Sequence, residues 1–92
     1  MRIEFDAAKS ARNARERSLP FELAAEFDWE TAAGWQDTRR PYTERRFVAV
    51  GFLYGRLHVI CYTPIPGGVR IISLRKANAR EVRRYAQETL DQ

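Results

Sequence analysis

The chain has 92 residues, 45% hydrophobic and 30% charged, which is enough for one core and too few for two, so one domain spanning residues 1–92 is expected. No run approaches the ~20 consecutive apolar residues of a membrane-spanning helix, and Met1-Arg2-Ile3-Glu4-Phe5-Asp6 lacks the order of a secretory signal, so a cytoplasmic location is expected. The net charge of +4 is unevenly spread: residues 1–37 hold eight acids against five bases, and residues 38–92 hold four against eleven. A one-sided positive field suits a polyanion such as RNA, or an acidic protein.

In chain order, Ile3 and Phe5 alternate with Arg2 and Glu4 as in a half-buried strand, and Asp6 is placed to cap a helix running to about Arg17. The apolar side of that helix is thin, mostly Ala7, Ala8, Ala11 and Ala14, so close docking of small residues is expected to hold it. Ser18-Leu19-Pro20 then interrupts, and a serine with a proline in the next first turn opens a second short helix carrying Phe21, Ala24, Ala25 and Phe27. Residues 29–35 read as loop. From Arg46 the chain turns β-branched and aromatic, giving strands over 47–53, 57–63 and 69–74. Tyr54-Gly55-Arg56 fits a tight hairpin turn, and Pro64-Ile65-Pro66-Gly67-Gly68 a longer loop. A last helix opens near Asn78, with Val82, Tyr85, Ala86 and Leu90 on the face expected to pack and the arginines turned to water. The expected class is α+β: a small antiparallel sheet with two N-terminal helices and one C-terminal helix.

One cysteine and one histidine give neither an internal disulfide nor a zinc ligand set, so no metal or cofactor is expected. His58 titrates near neutrality and is the obvious acid/base candidate, yet it sits mid-strand between Leu57 and Val59, which favours a structural role. Cys61, within Val59-Ile60-Cys61-Tyr62, reads as a small buried hydrophobe.

The arginines are the stronger clue, because metal-free RNA cleavage needs positive charge on the scissile phosphate and an acid or base near the attacking 2′-hydroxyl. Arg46 opens one strand and Arg70 another, Arg75 and Lys76 close the latter, and Glu44 is the nearest carboxylate. Strict alternation puts Arg70 and Arg75 on opposite faces unless the strand bulges. The plainer alternative is a structural ion-pair network among Arg46, Arg70 and Glu44. Tyr42, Tyr54, Tyr62, Trp29 and Trp35 are of the type that stacks unpaired bases, although most are expected in the interior.

Phe5-Asp6-x-x-Lys9-x-x-x-Asn13, Phe21-x-x-Ala24, Glu44-x-Arg46-Phe47, Tyr62-Thr63, Arg70-Ile71-Ile72-Ser73-x-Arg75-x-Ala77 and Glu81-x-x-x-Tyr85 together resemble BrnT-type toxins over nearly the whole chain. The resemblance implies a RelE-like fold and a ribonuclease that slows translation and growth. It also implies neutralisation by BrnA, an antitoxin similar to ribbon-helix-helix proteins, in a hetero-oligomer that reaches DNA only through the antitoxin. The matched positions imply Glu44, Arg46, Arg70 and Arg75 as catalytic candidates, with Arg70 and Arg75 on phosphate and Glu44 as acid or base. Tyr62, Ser73 and Lys76 are the RNA-binding candidates. The sequence departs from the family pattern where Lys-His-Gly is usual, having Glu16, Arg17 and Ser18, and where a glycine usually precedes Glu44, having Thr43. If the usual histidine carries a proton, this chain lacks it; if it caps the first helix, Arg17 can substitute there. Two functions therefore stand: an endoribonuclease toxin, and a catalytically silent module that binds RNA or antitoxin.

Overall fold

The computed structural model describes residues 1–90. Five strands form one sheet in the order β1-β5-β4-β3-β2: β1 (Arg2–Phe5), β2 (Ala33–Gln36), β3 (Phe47–Leu53), β4 (Arg56–Ile65) and β5 (Gly68–Lys76). The β3-β4-β5 meander is antiparallel as expected, but the sheet as a whole is mixed, because β1 runs parallel to β5 with Ile3 opposite Val69 and Phe5 opposite Ile71. More than sixty positions separate these two strands, so no tight turn dictates their direction. Gly68 permits the pairing, since a Cβ there would collide with the Arg2 carbonyl.

Only one α-helix, α1 (Ala7–Arg17), lies near the N-terminus; the expected second helix is a six-residue 3₁₀ segment, Phe21–Glu26. Pro20 supplies no side-chain cap, and the bond from Leu23 N–H to the Pro20 carbonyl (3.1 Å) closes the tighter turn. Asp6 caps α1 as expected, accepting from Lys9 N–H at 3.0 Å. The alanines do not dock this helix: Ala7, Ala8 and Ala11 are exposed, and Ser10 and Asn13 are the buried residues. Ser10 Oγ accepts from Phe21 N–H (2.8 Å), while Asn13 Nδ2 donates to the carbonyls of Leu19 (2.6 Å) and Leu74 (2.9 Å). Ser18 ends α1 in the left-handed region (φ 60°), at the position where the family pattern has glycine.

The sheet buries both faces unequally. Against α1 and the 3₁₀ segment it packs Ala49, Leu53, Ile60, Val69, Ile71 and Leu74 with Leu19, Phe21, Ala24 and Phe27. Gly51 makes room there for the Phe27 ring. The other face carries a smaller cluster of Val48, Val50 and Val59, partly covered by Trp35, Leu57, Cys61, Ala77 and Tyr85. Trp35 belongs to β2, an edge strand pairing Trp35 with Val48, within the stretch expected to be loop.

Tyr54-Gly55 forms the expected tight turn, both residues at positive φ. The next connection is shorter than expected: β4 runs on through Pro64 to Ile65, and Pro66-Gly67 alone makes the turn. Helix α2 (Ala79–Leu90) starts at Asn78 through a capping box, in which Glu81 N–H donates to Asn78 Oδ1 and Asn78 N–H to Glu81 Oε1, each at 2.9 Å. Its orientation differs from the expected one. It meets the sheet through Glu81, Arg84 and Tyr85, leaving Val82, Ala86 and Leu90 exposed.

Candidate functional site

A β-bulge decides the site. The β4-β5 register pairs Val59 with Arg75 and Cys61 with Ser73, then shifts so that Tyr62 meets Ile71 and Thr63 meets Arg70, leaving Ile72 as the extra residue. Directly paired residues share a face, and Val59, Cys61 and Thr63 alternate regularly along β4, so Arg70, Ser73 and Arg75 all fall on the valine-cluster face. The bulge thus removes the obstacle that strict alternation raises.

Around Arg70 the charged groups gather. Arg70 Nη1 donates to both oxygens of Glu44, at 3.0 and 3.2 Å, with side chains 44% and 54% exposed, so the pair remains open to a ligand. Both bonds use one nitrogen, and Nη2 and Nε keep their donors. Glu44 belongs to the loop between β2 and β3, which the bond from Asp37 N–H to the Arg46 carbonyl (2.8 Å) closes at its base. Asp37 is buried; its carboxylate takes two bonds from the Arg39 guanidinium (2.9 and 2.8 Å) and one from Tyr42 Oη (3.0 Å). The Arg39 guanidinium is the main cause holding the Asp37 carboxyl well below the usual range; it outweighs desolvation, and Arg39 N–H and Tyr42 assist. Tyr42 in turn lies under Arg46, whose guanidinium carbon is 4.3 Å from the ring centroid, with Arg40 at 5.3 Å. The loop is therefore built on one buried acid, and it presents Arg40, Arg45 and Arg46 around a cavity of about 420 Å³ that Glu44 also lines.

At the far end of the same face Arg75 makes a fork-to-fork pair with Glu81, both bonds 2.8 Å. Arg75 is the main reason the Glu81 carboxyl is held below its ordinary value, and Glu81 raises Arg75. This pair ties α2 to β5. Beside it Arg84 sits over the Trp35 ring at 3.5 Å, so Trp35 already carries a cation on its face.

The other sequence candidates divide. Tyr62 is on the opposite face, half-buried, edge-on to Trp29 and stacked on Phe47, and burial pushes its hydroxyl up. Lys76 pairs with His58 at the end of β5 and borders a cavity beside Glu16, Arg17 and Ser18, away from Glu44. His58 is buried with Nδ1 2.8 Å from the Arg56 carbonyl, a bond that only a ring N–H can make, in keeping with a structural role. Cys61 is half-buried and free.

Two groups escaped sequence reasoning, Asp37 and Arg39, and Thr63, matched within the Tyr62-Thr63 motif, was given no role. Asp37-x-Arg39 is a spacing that turns use routinely, so only burial distinguishes it. Thr63 lies opposite Arg70, and its buried Oγ1 has no hydrogen-bond partner among the described residues.

Among the described residues no helix is long and apolar enough to cross a membrane. No curated protein matches the chain. A family model described as the ribonuclease toxin BrnT of a type II toxin-antitoxin system matches residues 5–81. That span runs from the last residue of β1 to the Glu81 that anchors α2, taking in the charged loop and the whole bulged strand, and the chain belongs to the BrnT family of type II toxin-antitoxin ribonuclease toxins.

Proposed function

We propose that this chain, as one toxin domain, cleaves RNA without a metal ion on the sheet face that carries Glu44, Arg46 and Arg70. The observation that carries the reading is the bulge at Ile72, which sets Arg70, Ser73 and Arg75 on the face bordered by the Glu44 loop. In the reaction the RNA 2′-hydroxyl attacks the adjacent phosphorus as the bond to the 5′-oxygen breaks. The products are a 2′,3′-cyclic phosphate and a 5′-hydroxyl end. Glu44 takes the 2′-hydroxyl proton, the departing 5′-oxygen takes a proton from water, and the unused donors of Arg70, with Arg46, meet the negative charge that grows on the phosphate. Arg75 and Ser73 serve the flanking backbone, since both terminal nitrogens of Arg75 are already engaged by Glu81. Tyr62 and Lys76 take no part in cleavage.

The donor set supports a metal-free route: the single histidine is turned onto a backbone carbonyl, and Asp37, Glu44 and Glu81 are each committed to an arginine. The partner is a BrnA-like ribbon-helix-helix antitoxin in a hetero-oligomer, which alone contacts DNA, and the setting is the cytoplasm; these follow from the family resemblance. Induction of the chain in a bacterial culture tests the reading. Arrest with RNA fragments, relieved by folded Arg70→Ala or Glu44→Ala, is the expected result. Normal growth with abundant folded wild type points instead to the silent binding module.

A further inference from the structure

Helix α2 is amphipathic, yet none of its residues is buried. Its contacts with the sheet are the Arg75–Glu81 pair, Arg84 over Trp35 and the edge contact of Tyr85 with Phe52 (5.6 Å), and Tyr85 Oη donates to the Thr31 carbonyl (3.3 Å) just before β2. These fix the helix so that Val82, Ala86 and Leu90, a ridge at i, i+4 and i+8, turn away from the sheet. Val82 is 43% exposed, Leu90 83% and the neighbouring Phe52 41%. Scattered apolar residues on a surface need no explanation, but an aliphatic ridge along one helix with an aromatic beside it is the pattern of a docking surface.

Charge selects the occupant. Arg80, Arg83 and Arg84 flank the ridge, while both described acids of α2 are taken, Glu81 by Arg75 and Glu88 by Arg84 at 3.8 Å. Arg80 and Arg83 have no ion-pair partner among the described residues. A second copy of the chain would set these arginines against their equivalents. RNA would find phosphate contacts but no flat ring for its bases on Val82, Ala86 and Leu90. A protein helix with an apolar ridge and acidic flanks satisfies both features. We propose that this flank of α2 is where the antitoxin docks, through an acidic amphipathic helical segment. This rests on the toxin reading only in supposing a protein antitoxin.

The test titrates the full-length chain with its purified cognate antitoxin and measures RNA cleavage by the free chain in parallel. Val82→Asp/Leu90→Asp is expected to weaken antitoxin binding at least about tenfold, as loss of an interface anchor does, while circular dichroism, melting temperature and RNA cleavage stay at wild-type levels. Arg80→Glu/Arg83→Glu is expected to slow association and to flatten its dependence on salt. Antitoxin affinity unchanged in both variants overturns the proposal and leaves the ribonuclease reading standing. So does a free chain that is a dimer and becomes monomeric on Leu90→Asp, or an aspartate variant whose cleavage falls while its antitoxin affinity holds. A wild-type chain that binds antitoxin through this ridge but cleaves no RNA would overturn the ribonuclease reading alone.

Discussion

Asn13 joins α1 to the strand that carries the site, and its removal has a calculable cost. Its amide donates to the Leu19 and Leu74 carbonyls at 2.6 and 2.9 Å, and Leu74 is fully buried between Ser73 and Arg75 in sequence. In Asn13→Ala neither carbonyl finds another donor, and at about 1–3 kcal/mol for each buried group left unpaired the loss is about 2–6 kcal/mol. For a chain of this size that lowers the melting temperature by at least about 8 °C. Asn13→Asp keeps the shape but sets a negative charge against two carbonyl oxygens, and Arg17, which donates to Asn13 Oδ1 at 3.2 Å, offsets only part of it. The aspartate variant is therefore the less stable of the two at neutral pH. Urea unfolding followed by circular dichroism measures both. A loss below about 1 kcal/mol for Asn13→Ala, or wild-type stability for Asn13→Asp, would refute this account of how α1 is held.

Three other outcomes follow from the same geometry. Ser18 is left-handed at the end of α1, so Ser18→Gly is expected to raise stability by about 0.5–1 kcal/mol, seen as a higher urea midpoint; a lower midpoint contradicts this. Asp37 titrates lower in the folded chain than in the unfolded one, so its contribution is fully present above the ordinary carboxylate range and is lost as pH falls through its folded value. Asp37→Asn should therefore be less stable than wild type at neutral pH and converge with it in strong acid, and a gap that does not narrow would count against the buried pair. Glu81→Gln removes the charge that holds Arg75 and caps α2, and is expected to lower helical signal and melting temperature while Arg70-dependent cleavage persists; cleavage lost together with structure at β5 would show that the two ends of the face are not separable.

Much of the frame was legible because it depends on local pattern. Asp6 as a cap, the β3-β4-β5 meander, the Tyr54-Gly55 turn and the start of the last helix each follow from the types of a few neighbouring residues. The parts that were not legible depend on distant partners. Ala33-Gly34-Trp35-Gln36 contains one strong strand former and becomes a strand by pairing with β3. The Arg2–Phe5 strand takes its direction from β5, and nothing near Ile72 announces a bulge. Helix α2 shows most plainly how local pattern misleads: its apolar period predicts that Val82, Ala86 and Leu90 pack, but two arginine contacts, Arg75 with Glu81 and Arg84 with Trp35, fix the rotation. At the site, Glu44 and Arg70 could be named from the sequence and do meet in space. Tyr62 and Lys76 could also be named, but they share no face with that pair. The Asp37 anchor was invisible because its two-residue spacing to Arg39 is common to ordinary turns.

The central claim is that Arg70, beside Glu44, stabilises the charge that grows on the phosphate in a metal-free cleavage. Single-turnover cleavage of RNA by the purified chain in excess chelator, beside Arg70→Ala and Arg70→Lys of verified fold, tests it most directly. The account predicts cleavage undiminished by chelator with cyclic phosphate ends, a rate lower by about 10²–10³ in Arg70→Ala, and partial recovery in Arg70→Lys. Cleavage that stops in chelator and returns with a divalent ion, or an Arg70→Ala variant as fast as wild type, would contradict it.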